Sequence, residues 1–221
     1  MMKKTPAANV RADPFMNKFI VTLLLLLACT TSWSQDAGVL DMTSPSLRTF
    51  LAQRPEDLEC LTNVLSQIYK DKMVEVFYFY SKDESKPRSF QTYPNESTVY
   101  IYVREDQKAV DQFICLLFET LNSKGSERFS ELCQRAESRE ISRTDFAQGL
   151  IKIEFDAVKK TRDLIANLKF SKGDIKESSS YESIIKCPDE FKAFFDYQKS
   201  ISPSYDPLAD YEGQYDALQK Q

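Results

Sequence analysis

Two carboxylates stand in apolar company. Glu119 is the only charged residue between Asp111 and Lys124, and Glu154 has Leu150, Ile151, Ala157 and Val158 three and four positions away. At helical spacing each projects from a stripe that should face a core, where an ionised carboxylate needs a specific partner. A facing pair of this kind can divide general-acid and nucleophile or base roles, as in glycoside hydrolases, which need no histidine. Aromatic residues, 12% of the chain, are available to stack on sugar rings. The plainer reading makes each glutamate a satisfied structural carboxylate, with Arg104, Arg128, Arg135, Arg139 and Arg143, or the hydroxyls of Tyr78, Tyr80, Tyr100 and Tyr102, as partners. The chain has no histidine at all. That removes Ser-His-Asp and Cys-His nucleophilic catalysis, imidazole proton transfer and histidine-ligated metals. The five glycines form no phosphate-cradling loop.

The elements that must position these residues follow from periodicity. Leu58, Leu61, Leu65, Ile68 and Tyr69 predict a helix over 56–70. Met73–Tyr80 and Thr98–Val103, rich in β-branched and aromatic residues, predict two strands, the second apolar on both faces. The charged, proline-containing stretch 81–94 between them reads as a loop. Helices are expected over 107–122, ending near Lys124-Gly125, over 126–138, and from a Ser142 and Asp145 start to about Leu168. Gly173 and the serines 178–180 read as a linker, followed by a last helix over 181–199. The expected fold is α+β and mostly helical: a small two- or three-stranded sheet packed with several helices, as one globular domain over 56–199. An extended segment over 36–55 precedes it, and a flexible, acidic, tyrosine-rich tail over 200–221 follows. In that tail Tyr205-Asp206-Pro207-Leu208 is echoed by Tyr215-Asp216-Ala217-Leu218, too little for a repeat architecture.

A strand, a short acidic turn, a buried helix with a lone Glu, and a long helix with a second Glu 35 residues on resemble the minimal core of the gluzincin metallopeptidases, over roughly residues 58–170. In that family the first helix carries His-Glu-x-x-His, two zinc ligands flanking a water-activating Glu, and the later helix supplies a glutamate ligand. The corresponding segment here is Phe118-Glu119-Thr120-Leu121-Asn122. The resemblance implies a zincin-like core with Glu119 at the position of the base and Glu154 at that of the ligand. Phe118 and Asn122 stand where both histidines would be. Phenylalanine cannot bind a metal and asparagine is a weak neutral donor, so the resemblance implies an inactivated scaffold with Glu119, Glu154 and Asn122 as vestiges. No catalytic residue, metal or cofactor is expected.

The N-terminus reads as an address. Phe19–Ala28 is an apolar run after Met16-Asn17-Lys18, too short to span a bilayer comfortably, and Ser32-Trp33-Ser34 offers small residues for cleavage near Gln35. Residues 1–35 are thus expected to be a leader, with Met1 or Met16 as the start, and the protein to be periplasmic or secreted. A second reading takes Leu26-Leu27-Ala28-Cys29 as a lipobox, making Cys29 a lipidated residue of an outer-membrane lipoprotein. Loss of Lys3, Lys4, Arg11, Lys18 and Asp13 would move the formal net charge from −4 to −7. An acidic domain lacks the basic footprint nucleic-acid binding needs. Cys60, Cys115, Cys133 and Cys187 would remain, an even number without a CxxC pair, expected to form two disulfides of open connectivity. Asn95-Glu96-Ser97 fits a glycosylation sequon, relevant in a eukaryotic source.

With the leader, the resemblance implies an exported, noncatalytic domain on a metallopeptidase-like scaffold that binds a protein or peptide; because the family's cleft holds an extended peptide beside its edge strand, it implies the residues around Thr98–Val103 as that surface. A membrane partner enters only through lipidation at Cys29. The alternatives are a glycoside hydrolase using Glu119 and Glu154, and a structural envelope lipoprotein.

Overall fold

Ser44 accepts a hydrogen bond from the amide of Leu47, and Pro45 follows in the first turn, so a helix begins where sequence reading expects extended chain. This is α1 (Pro45–Ala52), in a computed structural model that describes residues 43–69, 73–80, 87–95, 98–176, 178–201 and 206–220. The leader over 1–35, Cys29 within it, and Glu96 and Ser97 of the sequon lie outside the described residues. Buried Leu47 and Leu51 seat α1 on the core. The Gln112 amide pins it further, donating to Ser46 Oγ at 3.0 Å and to the carbonyls of Glu105 and Gln107.

α2 (Pro55–Tyr69) and β1 (Met73–Tyr80) fall where periodicity places them. The next stretch does not remain a loop, because it holds β2 (Ser89–Asn95), and β3 (Thr98–Arg104) completes a three-stranded sheet of order β1-β3-β2. β1 runs parallel to β3 and β2 antiparallel to it. Pro94 hid β2 from sequence reading. A strand with only one neighbour tolerates a residue without an N–H, since its outer ladder is unpaired. Val99, Ile101 and Val103 are fully buried on one face of β3, while Tyr100 and Tyr102 alternate onto the other and are only partly covered. The strand is therefore two-faced rather than buried on both sides. On that second face Phe90 stacks on Tyr102 with ring centroids 4.4 Å apart.

The fold is α+β and mostly helical. α3 (Ala109–Ser123) packs against the buried face of the sheet, α4 (Ser126–Glu137) follows, and α5 (Arg143–Ile165) runs beside both, started by the Ser142 cap on Asp145. Two glycines let elements pack closely, Gly125 of the α3–α4 corner against α5 and Gly149 of α5 against α4. A Cβ on Gly125 would lie 2.3 Å from Ile153 Cγ2, and one on Gly149 would lie 2.8 Å from Leu132 Cδ1.

The expected linker and single last helix are replaced by three short elements, α6 (Lys172–Ile175), α7 (Ser179–Ile185) and α8 (Phe191–Ile201). Buried Asp111 organises the serines. It accepts from Ser178 Oγ at 2.8 Å and from the Ser180 amide at 2.9 Å, while Ser178 caps α7. The break between α7 and α8 falls at Cys187-Pro188, where the proline disfavours helical backbone in the residue before it.

The tail expected to be flexible instead carries α9 (Pro207–Leu218), capped by Asp206 with Pro207 in its first turn. Its Leu208, Tyr211, Tyr215 and Leu218 pack against hydrophobic clusters built on α5. The two four-residue echoes thus mark the start and the end of one helix.

Candidate functional site

The two carboxylates are positioned by different elements, Glu119 by α3 and β2, and Glu154 by α5, α8 and α9. Along α3, spacing of three and four residues buries Cys115, Leu116 and Glu119 together. Glu119 is only 4% exposed. Ser89, on the inward face of β2 opposite Val103, donates its hydroxyl to Glu119 Oε1 at 2.7 Å. Burial pushes the Glu119 carboxyl up to about 8; the Ser89 hydrogen bond opposes that rise and the charge of Glu154 adds to it. Glu119 thus belongs to α3, under β2, and Glu154 to α5.

Glu154 is partly buried on α5 and accepts the hydroxyl of Tyr211 from α9. Burial raises its pKa, against hydrogen bonds from Tyr211 and from the Gln198 side chain of α8. Asn122, one turn beyond Glu119, has a buried Oδ1 without a hydrogen-bond partner. Tyr93 continues the inward face of β2. Burial beside Glu119 raises its pKa, and its ring stacks on Phe129 at 5.8 Å.

Among the described residues neither glutamate is held by an arginine. Arg104 pairs with Asp106, Arg128 with Asp156, and Arg143 with Glu212 and Asp216, while Arg139 donates to Gln219. The donors are neutral groups that sequence reading missed: Ser89, Tyr211 and Gln198. For Tyr211 a signal existed, since Asp206-Pro207 is a helix start and Leu208, Tyr211, Tyr215 and Leu218 recur at helical spacing. Ser89 follows a proline and charge-rich stretch and carried none.

The donor set does not fit zinc. Phe118, which the resemblance would put where a ligand histidine stands, packs against two hydrophobic clusters. Glu119 and Glu154 are engaged by hydroxyls, and Asn122 offers a single neutral oxygen. Among the described residues no three His, Cys, Asp or Glu side chains converge in a way that could hold a metal ion.

Cys60, Cys115, Cys133 and Cys187, the expected disulfide partners, are not joined to one another in this structure. They are spread over the fold: Cys60 lies on α2, Cys115 in the first cluster on α3, Cys133 against the third on α4, and Cys187 in the second after α7. Cys115 Sγ lies 3.7 Å from Ser180 Oγ. Burial holds the Cys60, Cys115 and Cys187 thiols at about 11, the range of inert structural cysteines rather than of nucleophiles.

The strand chosen for peptide binding is also displaced. β3 is the central strand, paired on both sides, so its backbone has no free edge. The edge nearest Glu119 belongs to β2. Among the described residues no helix is long and apolar enough to cross a membrane. No protein-family model, no curated protein and no solved structure matches this chain.

Proposed function

We propose that the chain is an exported, noncatalytic domain on a degenerate zincin-like scaffold, and that it binds an extended protein or peptide segment along the outer edge of β2. One observation carries the reading: Glu119 is buried on α3 and held by neutral Ser89, Glu154 on α5 is held by Tyr211, and a core-packed Phe118 and a neutral Asn122 stand at the positions that, on the resemblance, would have to bind metal. β2 supports the choice of partner. It has one neighbour among the described strands, and its inward face lies on Glu119, so an added strand would extend the sheet on the Glu119 side. Burial argues against the two-carboxylate hydrolase, because Glu119 at 4% exposure leaves no room for a sugar ring to reach it.

The test is titration of the isotopically labelled full chain with a random-sequence decapeptide pool, read by backbone amide shifts. Shifts concentrated on Ser89–Asn95 support the reading; shifts confined to β1, or none at millimolar peptide, overturn it. Stoichiometric zinc in the purified protein, or peptide cleavage abolished by Glu119→Gln, would overturn the noncatalytic part. Scaffold descent has its own test in the double variant Phe118→His with Asn122→His. On a zincin-like core it gains one-to-one zinc binding that Glu154→Gln removes; a folded double variant that binds no zinc refutes that descent. Export is checked by N-terminal sequencing of protein recovered outside the cytoplasm, where a start at Gln35 or Asp36 is expected and a blocked Cys29 would show lipidation.

A further inference from the structure

The corner between α1 and α2 holds a polar cleft of about 370 Å³, lined by Gln53, Arg54, Pro55, Glu56 and Asp57, and by Lys169 from the turn between α5 and α6. Its volume falls within the range of small-ligand pockets, roughly 300–1,000 Å³. Neither β2 nor the glutamates Glu119 and Glu154 contribute to it. Asp57 is the anomaly in its wall. Only 3% of this residue is exposed, yet its Oδ2 has no hydrogen-bond donor among the described residues. Arg54 Nη1 stands 3.6 Å away, beyond hydrogen-bond length. That guanidinium is held from other sides, paired through Nη2 with Asp174 of α6 and lying 4.5 Å from the centroid of the Phe50 ring. A buried carboxylate oxygen ordinarily has a donor.

Donors also stand unused beside it. Pro55 opens α2 without an N–H, and the first-turn amides of Glu56 and Asp57 have no acceptor among the described residues. Lys169 Nζ reaches Glu56 at 3.6 Å from a side chain that is 85% exposed. The charges of the lining cancel, Arg54 and Lys169 against Glu56 and Asp57. An anion there would meet two carboxylates. A cation would meet Arg54, Lys169 and the positive end of α2. A hydroxyl suits both kinds of wall, because it donates one hydrogen bond and accepts two. We propose that this cleft binds a neutral polyhydroxyl ligand, a single saccharide ring, with one hydroxyl donating to the Asp57 carboxylate and its neighbours accepting from Lys169 and the first-turn amides of α2.

The test is titration of the isotopically labelled full chain with methyl α-D-glucopyranoside, methyl α-D-galactopyranoside and methyl α-D-mannopyranoside, each to about 50 mM, since a ligand this small binds in the millimolar range. At least one should give saturable amide shifts at Gln53, Arg54, Glu56, Asp57 and Lys169. Asp57→Asn should weaken that binding about tenfold, as loss of a hydrogen bond to a charged group does, and Lys169→Ala about threefold. Lys169 is exposed enough for its truncation to leave the fold intact, so it decides the matter if Asp57→Asn does not fold. The proposal is overturned if none of the three glycosides gives a saturable shift, or if the shifts fall outside these residues. It is equally overturned if binding is unchanged in Lys169→Ala and in folded Asp57→Asn. Inorganic phosphate or glycine binding these amides more tightly than every glycoside would make this an anion or zwitterion site and overturn it too. Because no peptide enters this experiment, its failure is separate from failure of β2 to bind one.

Discussion

Glu119 makes its own fold sensitive to pH. Its carboxyl titrates near 4.5 when exposed and at about 8 in the folded protein. A group raised by folding gives stability that is complete below the unfolded pKa and declines as pH climbs to the folded one. Thermal unfolding should therefore show a falling midpoint between pH 4.5 and 8. Glu119→Gln keeps an oxygen for Ser89 but cannot ionise, so it should flatten the slope and stabilise the protein at pH 8 by a few kcal/mol, at about 1.4 kcal/mol per unit. A variant less stable than the parent at pH 8 would contradict this. The cysteines supply a second check at the same scale. With thiols at about 11, only about one in a thousand of these groups is thiolate at pH 8. Cys60, Cys115 and Cys187 should therefore label slowly in the native protein, and all four cysteines of the domain should label rapidly in denaturant without reductant. Failure to label in denaturant until reductant is added would instead show disulfides.

At the scale of elements, close approach sets the positions that resist substitution. Gly125→Ala drives a Cβ against Ile153 at the crossing of the α3–α4 corner with α5, and should destabilise by about 1–3 kcal/mol, measured by denaturant unfolding. Gly149→Ala meets the far end of Leu132, which can turn aside, and should cost less than about 1 kcal/mol. Periodicity made α2, α3, α4 and α5 legible, because each repeats apolar residues over three turns or more. It failed where the stabilising partner is distant in sequence. β2 has little pattern of its own and exists through pairing with β3, α7 hangs on Asp111, and α9 docks on α5 through tyrosines that read as polar tail. The site was legible to the same depth. Glu119 and Glu154 announced themselves as charges on apolar stripes, whereas Ser89, Gln198 and Tyr211 are ordinary polar residues until the fold brings them in.

Across the molecule, α5 is the shared wall of three hydrophobic clusters. Ala157 and Ile165 belong to the first, Ile151, Phe155 and Val158 to the second, and Phe146, Leu150 and Ile153 to the third. Clusters that share one helix cannot melt separately, so far-ultraviolet dichroism and tyrosine fluorescence should report one coincident transition, and divergent midpoints would show otherwise. The placement of β3 between its neighbours also governs how the chain reaches this state. Asn95 and Thr98, three residues apart, close the β2–β3 hairpin, whereas β1 meets β3 in pairs such as Met73 and Thr98 that are about 25 residues apart. Short closures form in microseconds and distant parallel ones later. In a refolding reaction pulsed with deuterium, β3 should gain its partner on the β2 side first. The early chain would then carry an unpaired β3 edge until β1 arrives, the interval in which it is most open to pairing with another copy of itself.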